Sequence, residues 1–462
     1  MATLPPDPFE PGGMARFGAR LRSGEITAEA ATAAYLARIE ILDCRLGAYE
    51  HVAAEAALAA ARGIDRQLAG GEDHGPLMGV PVALKDLIAT EGMPTTAGSN
   101  VDVADVIGTE GSFVKALRQA GCVILGKLKT VEFARGAAGV NRVRGTPWNP
   151  WDSGVHRIPG GSSSGSAVAM AAGLSAFTVG TDTGGSVRGP AAFCGVFGLK
   201  STIGTWSIDG IFPNSPTFDT IGPLTRSAAD AACVFSALTG RPVPPSPSLD
   251  GLRLGKPRNH FFDNLDGDVE RCMATAIAAL QGAGTEIVPI EVPEVAEREE
   301  ILQVICATEC VAAFGRDSFL ANQDIMDPVT VARTAPGLDV PAERYIRVLG
   351  HHHELCRIFD ERLRDLDGWI TPTTSMVAPT VAEVTDVEAG LALEARLGLN
   401  THPASFFGLC ATTTPINALE SSLPVGLQIV CRGGEDAKAL SIALALEDLF
   451  GLPPRPPLDG FL

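Results

Sequence analysis

The sequence lacks the marks of several protein classes. Its 462 residues include ten cysteines but no Cys-x-x-Cys pair, and disulfide frameworks belong to much shorter secreted chains. No run of about 18 apolar residues is free of charge, glycine or proline, which argues against a membrane span. The net charge of -18, without a long basic run, disfavours direct binding to nucleic acid.

The N-terminal stretch, residues 1–13, is rich in proline and acidic and has no apolar segment of the kind that a signal peptide needs. We therefore expect a cytoplasmic protein with reduced, mostly buried thiols and no contact with a membrane.

Motifs for metals and phosphates are also missing. No G-x-x-x-x-G-K-[ST] string occurs. The consecutive residues His351, His352 and His353 would point in different directions on a helix, so they cannot all face one ion. Cys306 and Cys310 lie one turn apart on a predicted helix, where apolar core filling is the expected role. We expect neither a metal nor a cofactor.

The order of apolar segments predicts an α/β fold. Residues 14–71 are helical in pattern, with Thr27 as a helix cap and a second helix at 52–68. Strands are then predicted at 77–86, 122–125 and 175–179, with helices at 112–120 and 164–172 between them. Further on, a helical region covers 297–364, strands return at 369–371 and 425–430, and a last helix covers 437–450. This alternation favours helices packed on a mainly parallel sheet.

Two glycine-rich turns stand out, at residues 160–166 (GGSSSGS) and 180–188 (GTDTGGSVR). They bracket one predicted helix and one predicted strand, so both can lie at the same edge of the sheet. In the second turn, Gly184 and Gly185 precede Ser186, and residues without a Cβ let a carbonyl oxygen approach the backbone N–H groups closely. An ordinary turn or a small-anion nest remains an alternative on this observation alone.

Lys85 is a candidate general base. The chain has only 8 histidines, and His156 alone lies near either turn. Lys85 ends an apolar predicted strand, where burial would disfavour its charge, and a neutral lysine can accept a proton from a serine. The alternative on spacing alone is a structural ion pair with Asp86.

These segments closely resemble the signature of the amidase-signature family of amidohydrolases. The resemblance is strongest over residues 77–225 and extends over most of the chain. It includes GVPVALKD at 79–86, the two glycine-rich turns, FCGVFGLK at 193–200 and LPVGLQ at 423–428. Ser162 and Ser186 are 24 positions apart, as in the family. One position departs from the common loop, since residue 164 is Ser where the family often has Gly.

The resemblance implies a catalytic role for three side chains. Ser186 matches the nucleophile, Lys85 matches the base, and Ser162 matches a bridging serine whose preceding peptide bond is cis in the family. The implied oxyanion hole consists of the backbone N–H groups of Thr183, Gly184, Gly185 and Ser186. Asp182 and Arg188 would fix the shape of the turn rather than react.

The resemblance also implies the fold and the activity. We expect a single domain over residues 1–462 with a large twisted mixed sheet covered by helices on both faces. Its parts would be an N-terminal helical segment at 14–71, a signature core at 77–225 and a C-terminal part at 250–462. The expected activity is hydrolysis of a linear or aryl amide of a small molecule, through an acyl-enzyme, to a carboxylic acid plus ammonia or an amine. A homodimer is possible.

Substrate choice is expected in the segments less typical of the family, at 135–141, 310–345 and 402–407. Four phenylalanines in or near them could line an apolar pocket or fill the core: Phe314, Phe319, Phe406 and Phe407.

Two other functions remain open. The glutamine-hydrolysing subunit of a transfer-RNA-dependent amidotransferase has the same signature and works with partner subunits. Residues 161–165 also match G-x-S-x-G, the elbow of α/β-hydrolases, with Ser163 as nucleophile and His402 as the candidate base. Pro159 makes a poor end for the strand that such an elbow requires.

Overall fold

The computed structural model describes residues 4–462, so the first three residues of the N-terminal stretch lie outside the described part. Eleven strands form one sheet in the order β1-β3-β2-β4-β6-β5-β10-β11-β9-β7-β8. The strands are β1 Tyr49–Val52, β2 Pro81–Lys85, β3 Val123–Leu128, β4 Phe177–Asp182, β5 Phe197–Lys200, β6 Thr220–Thr225, β7 Arg253–Pro257, β8 Glu286–Ile290, β9 Gly368–Pro372, β10 Cys410–Pro415 and β11 Gly426–Cys431.

Helices precede, separate and follow these strands. They are α1 Gly13–Arg22, α2 Ala28–Leu46, α3 Ala54–Ala69, α4 Ala104–Ile107, α5 Ser112–Gln119, α6 Ser164–Ala171, α7 Arg188–Cys194, α8 Ala228–Thr239, α9 Gly267–Gly282, α10 Arg298–Phe314, α11 Arg316–Asn322, α12 Pro328–Thr334, α13 Ala342–Arg362, α14 Val387–Leu397, α15 His402–Phe406 and α16 Asp436–Phe450. Within residues 4–462, none of these helices combines the length and the apolar character needed to cross a bilayer.

The sheet is mixed, as the resemblance implied. The β2–β3, β2–β4, β7–β8 and β7–β9 pairs are parallel, and the other six pairs are antiparallel. Every residue of β2 to β6 and of β9 to β11 is buried, so both faces of the central sheet are covered. The α/β prediction is confirmed, whereas the expectation of a mainly parallel sheet is wrong. All strands share one sheet, and we keep the single domain as a prediction.

Most predicted elements are present, with shifted bounds. Thr27 caps α2 by accepting a hydrogen bond from the Ala30 N–H at 3.0 Å. The predicted long helical region at 297–364 is divided into α10 to α13. Gly315, with φ 83°, ends α10, and Pro328 and Pro341 stand at the starts of α12 and α13.

A buried ion pair joins β2 and β3. Lys127 Nζ on β3 lies 3.0 Å from Asp86 Oδ1, just beyond the end of β2, and these side chains are 0% and 1% exposed. The other Asp86 oxygen accepts hydrogen bonds from the N–H and hydroxyl of Thr96. Asp86 is therefore the partner of Lys127, and the alternative of a Lys85–Asp86 ion pair is wrong.

We expect Lys127→Met to lower the free energy of unfolding by about 3–5 kcal/mol, because it leaves the Asp86 carboxylate buried without its cation. Urea denaturation followed by circular dichroism measures the loss. Lys115→Met is the control, since Lys115 is exposed on α5, and should change stability by less than about 0.5 kcal/mol. Equal effects of the two substitutions would contradict a stabilising role for the buried pair.

Candidate active site

Sheet topology brings the three predicted catalytic residues to one edge. Lys85 is the last residue of β2, and Ser186 lies in the turn that follows β4. Because β2 and β4 are parallel neighbours, their carboxyl ends emerge together. Ser162 lies in the loop that leads into α6.

Lys85 has no solvent exposure and contacts hydroxyl groups. Its Nζ donates to Ser162 Oγ at 2.7 Å and to Thr181 Oγ1 at 2.8 Å. Burial lowers the pKa of Lys85 to about 7, although the nearby carboxylates of Asp219 and Asp182 act to raise it. Lys85 can therefore lose its proton near neutral pH, which an exposed lysine cannot do.

The two serine loops are joined through their backbones. The Ser163 N–H donates to the carbonyl oxygen of Ser186 at 3.1 Å, and the Ser162 carbonyl oxygen accepts from the N–H of Val131 at 3.1 Å. The Gly161–Ser162 peptide bond is cis, as the resemblance implied. Ser162 is fully buried, whereas Ser186 lies on the wall of a cavity. Any substrate must therefore meet Ser186 first.

A buried ion pair sets the shape of the turn around Ser186. Asp182 lies 2.9 Å from Arg188 Nη2, and neither side chain is exposed. Asp182 also accepts hydrogen bonds from the backbone N–H groups of Gly185 at 2.7 Å and Val187 at 3.1 Å. Burial alone would raise the pKa of Asp182, but the Arg188 guanidinium outweighs it and lowers the pKa to about 2. The carboxylate is charged at neutral pH and ties the turn together.

Arg188 also ties the turn to the C-terminal half of the sheet. Its Nη1 donates to the Thr401 carbonyl oxygen at 2.8 Å and to Gln428 Oε1 at 2.7 Å, and its Nη2 donates to Ser405 Oγ at 3.1 Å. This explains why LPVGLQ, with Gln428 in β11, accompanies the turn motif in the sequence.

Glycine is required directly before Ser186, and the position before that is tightly packed. Gly185 has φ 125°, and a Cβ there would lie 2.2 Å from Thr401 Oγ1. A Cβ on Gly184 would lie 3.0 Å from a ring carbon of His402. Any side chain at Gly185 would force the turn away from α15.

Four backbone N–H groups were predicted as oxyanion donors, and the structure divides them. The Gly185 N–H donates to Asp182, so it belongs to the scaffold of the turn. Within residues 4–462, the N–H groups of Thr183, Gly184 and Ser186 donate to no protein atom, and all three residues line the cavity. Three donors are thus available to a bound oxygen, rather than four.

Asp219 is a site residue that the sequence analysis missed. It precedes β6, which pairs with β4 so that Thr220 faces Asp182. This register places Asp219 beside Thr183, whose hydroxyl donates to it, and the Ser215 N–H also donates to it at 2.9 Å. Burial raises the pKa of Asp219 to about 7. The signal in the sequence was an acidic residue directly before an apolar strand. Only the register of β6 against β4 shows that this residue contacts the turn at Thr183.

The cavity in front of Ser186 has a volume of about 210 Å³ and contains several charged side chains. Those that line it are Arg135, Arg298, Glu299, Arg333 and Glu394. His402 and Cys306 line it as well. Arg135, Arg333 and His402 fall within the segments predicted to choose the substrate; Arg298 and Glu394 were missed because they come from distant helices.

Of the two alternatives for the four phenylalanines, core filling is confirmed and pocket lining is wrong. Phe314 and Phe319 are buried in the main core, with ring centroids 6.3 Å apart. Phe406 and Phe407 pack in a second core cluster, where Phe407 stacks on Phe359. None of the four lines the cavity around Ser186. Cys306 and Cys310 are buried, and the core-filling interpretation holds for Cys310, whereas Cys306 also lines the cavity.

The structure does not support Ser163 as a nucleophile. Its hydroxyl donates to the carbonyl oxygen of Thr181 and accepts from the Thr181 N–H, both at 3.3 Å, and the side chain is fully buried. A loop rather than a strand precedes it. Burial, together with Arg333 and Arg298, lowers the pKa of His402 to about 3, so this imidazole is neutral.

The three consecutive histidines face different surroundings. His351 contacts Glu297 at 2.7 Å, whereas His352 is buried and its Nδ1 lies 2.7 Å from the Phe406 carbonyl oxygen. His353 is exposed. The three side chains therefore point in different directions, as predicted for consecutive residues of a helix.

Comparisons with known proteins agree with this geometry. The model of the Amidase family matches residues 30–440. The chain is 36% identical to the 2-amino-5-chloromuconic acid deaminase of Comamonas testosteroni over 95% of this chain and 96% of that protein. It is 33% identical to a glutamyl-tRNA(Gln) amidotransferase subunit of Geobacter metallireducens over 93% of this chain and 95% of that protein.

Among solved structures, the peptide amidase from Stenotrophomonas maltophilia superposes with a TM-score of 0.82 at 30% identity, covering 98% of this chain and 100% of that one. The chain therefore belongs to the Amidase family and is a hydrolase of carbon–nitrogen bonds in amides.

Proposed function

We propose that this hydrolase cleaves a small-molecule amide through an acyl-enzyme on Ser186, with Ser162 and Lys85 as a proton relay. The observation that carries the proposal is the 2.7 Å hydrogen bond from Lys85 Nζ to Ser162 Oγ in a fully buried site. Neutral Lys85 accepts the proton of Ser162, which accepts that of Ser186. Ser186 Oγ attacks the amide carbon, and the proton returns through Ser162 to the leaving nitrogen. Water then cleaves the acyl ester by the same relay.

The oxyanion formed in each step would be stabilised by the free N–H groups of Thr183, Gly184 and Ser186. Such donors act strongly where they are fixed before the reaction and shielded from water. Asp182 and Arg188 supply that fixation, because their ion pair and the hydrogen bond to Gly185 leave the turn little freedom.

The cavity indicates the size of the substrate. At about 210 Å³ it is smaller than the pockets of roughly 300–1,000 Å³ that hold drug-sized ligands. A cavity of this size can hold a short linear or aryl amide but not part of a folded protein. The Comamonas testosteroni relative is named for action on an acid of low molecular mass, which agrees with this choice.

A second candidate function is that of the glutamine-hydrolysing component of a transfer-RNA-dependent amidotransferase. The similarity to such a component over 93% of this chain favours it. Hydrolysis of simple amides by the purified chain alone would support the independent enzyme. Labelling of Ser186 by a fluorophosphonate only when partner subunits are present would support the amidotransferase. A homodimer and a cytoplasmic location remain expectations.

We expect Ser186→Ala to lower kcat for amide hydrolysis by about 10⁴-fold or more, because the acyl-enzyme cannot form, and Lys85→Ala to be nearly as damaging, since relay members act as one unit. Ammonia release measures both. Ser163→Ala is the matched control, because within the described residues its hydroxyl bonds only to the backbone of Thr181. Greater loss in Ser163→Ala than in Ser186→Ala would reverse the assignment.

We expect kcat/KM to rise with pH up to about 7 and then level off, because only the neutral form of Lys85 accepts a proton and its pKa is about 7. Below that value the rate should fall about tenfold per pH unit. A profile of kcat/KM against pH, from pH 5 to 9, measures this rising limb. A rate that is flat between pH 5 and 8 would contradict Lys85 as the base.

Asp219→Asn should move the upper end of this rise, near pH 7 where Asp219 is ionised, to lower pH. The Asp219 carboxylate favours the charged form of Lys85, so its removal makes the lysine easier to deprotonate. The amide keeps the size of the side chain and can still accept the hydrogen bond from Thr183. The pH–rate profile of the variant, set against that of the wild type, measures the shift. A limb that stays in place, or moves to higher pH, would show that the two groups are not coupled.

A further inference from the structure

Arg135 is a buried guanidinium in the wall of the Ser186 cavity, with unused hydrogen-bonding capacity. It is 6% exposed. Its Nη2 donates to the Arg333 carbonyl oxygen at 2.6 Å and its Nη1 to Asn214 Oδ1 at 3.3 Å, while the buried Nε has no hydrogen-bond partner among residues 4–462. Guanidinium carries five N–H donors, of which oxygens of the described chain take two, and the Cys306 thiol also lies beside the group. No carboxylate in this described part of the chain forms an ion pair with Arg135.

Neighbouring arginines are satisfied by acidic residues of the chain itself. Arg333 pairs with Glu394, which also accepts the N–H groups of Ala137 and Ala138. Arg142 pairs with Asp327 at 3.2 Å. Arg38 is equally buried, but all three of its nitrogens donate to carbonyl oxygens, whereas Arg135 leaves its Nε without a partner in the described chain. Since buried polar groups and charges are normally satisfied, this points to an anion supplied by a ligand.

The backbone that presents Arg135 is strained. Phe133 and Ala134, the two residues before it, have φ of 52° and 58°, in the left-handed region that favours glycine. Such residues persist where the surrounding structure holds them and are concentrated at ligand sites. Here the hydrogen bond from the Phe133 N–H to the Ala97 carbonyl oxygen, at 2.9 Å, helps to hold the segment.

Two hydrogen bonds connect Arg135 to the turn that carries Ser186. Asn214 accepts from Arg135 through Oδ1 and donates through Nδ2 to the Thr183 hydroxyl at 3.2 Å. Thr183 is the first residue of the turn whose free N–H groups face the cavity. A ligand group bound by Arg135 therefore lies in the same cavity as the Ser186 hydroxyl, within the reach of a small molecule.

The balance of charge in the cavity also favours an anion. Arg298 is half-buried, and its only acceptor within residues 4–462 is the Val295 carbonyl oxygen at 3.5 Å. The acidic lining residues do not cancel these cations, because Glu394 is engaged by Arg333 and Glu299 is exposed to solvent. A cationic cavity in a chain of net charge -18 must serve a specific anion rather than general attraction.

We propose that the substrate is a short amide whose acyl part carries a carboxylate, and that Arg135, assisted by Arg298, binds that carboxylate. This inference rests on the proposed reaction at Ser186. For a primary amide the leaving group is ammonia, so the carboxylate must belong to the acyl part. Addition of one water to the anionic monoamide of a dicarboxylic acid breaks the C–N bond and gives the dicarboxylate and ammonium, since the proton of the new carboxyl group leaves on the nitrogen.

Wild-type enzyme provides the first test. The probes are glutaramate, the monoamide of glutaric acid, and glutaramide, which has a neutral carboxamide in place of the carboxylate. We expect kcat/KM to be higher for glutaramate by about 10-fold or more, the effect of a hydrogen-bonded charge pair. As competitors of glutaramate hydrolysis, glutarate should also bind more tightly than glutaramide. A ratio of one or less overturns the proposal, whatever the variants do.

The second test is Arg135→Gln. We expect kcat/KM for glutaramate to fall by about 10- to 100-fold, mainly through KM, while kcat/KM for glutaramide changes by less than about threefold. Arg135→Lys should recover part of the loss. The matched control is Arg38→Gln, because Arg38 is also 6% exposed but donates only to backbone carbonyls away from the cavity. An unchanged ratio in Arg135→Gln overturns the proposal.

Ser186→Ala separates this inference from the proposed reaction. If the variant still hydrolyses both probes, the reaction at Ser186 is wrong. If it is inactive while wild-type enzyme shows no preference for glutaramate, the reaction stands and the carboxylate site is overturned. Should Arg135→Gln fail to fold, Arg298→Gln and the wild-type comparison decide the matter, since neither needs the Arg135 variant.

Discussion

The structure depends on a lysine ammonium held away from water between two hydroxyl groups. Lys85 Nζ meets Ser162 and Thr181, and no carboxylate of residues 4–462 contacts it directly. Burial makes the charge of Lys85 costly, while Asp219 and Asp182 partly restore it from a distance, so that the pKa settles near 7. A direct ion pair would have kept the proton on the lysine. The chain avoids this because Asp86, next in sequence, is turned towards Lys127 on the neighbouring strand.

Two carboxylates near the turn have opposite electrostatic roles. Asp182 lies against Arg188, and its pKa is lowered to about 2, so it is a fixed anion that holds the turn. Asp219 is held by hydroxyl and backbone donors, and burial raises its pKa to about 7. Both residues are aspartates, so the difference in pKa arises from the groups that contact them and not from the residue type. It gives one rigid charge that shapes the turn around Ser186 and one adjustable charge that influences the pKa of Lys85.

The candidate catalytic residues were found through the resemblance to the amidase-signature family, which could be recognised because the two glycine-rich turns and the strand ending in Lys85 are continuous segments. The order of strands was harder to predict: β5, β6 and β10 went unrecognised, and their antiparallel pairing makes the sheet mixed. Asp219 was missed for the same reason, since only the β4–β6 register brings it to Thr183. The sequence could not decide the role of the four phenylalanines, because an aromatic residue near a variable segment suits a pocket and a core equally well.

The charged wall of the cavity shows why a substrate site can be absent from a family motif. Catalytic groups must meet in one arrangement, so their segments recur as strings, whereas Arg135, Arg298 and Glu394 come from three separate parts of the chain. Glu394 neutralises Arg333 and accepts two N–H groups of the loop that carries Arg135, so the loop is fixed even in the absence of a ligand. Arg135 is then held in place by Asn214 and the Arg333 carbonyl oxygen, with no carboxylate partner among residues 4–462. A site arranged in this way loses little conformational entropy when an anion arrives, and the rigidity that leaves the guanidinium unpaired is also what makes the pairing selective.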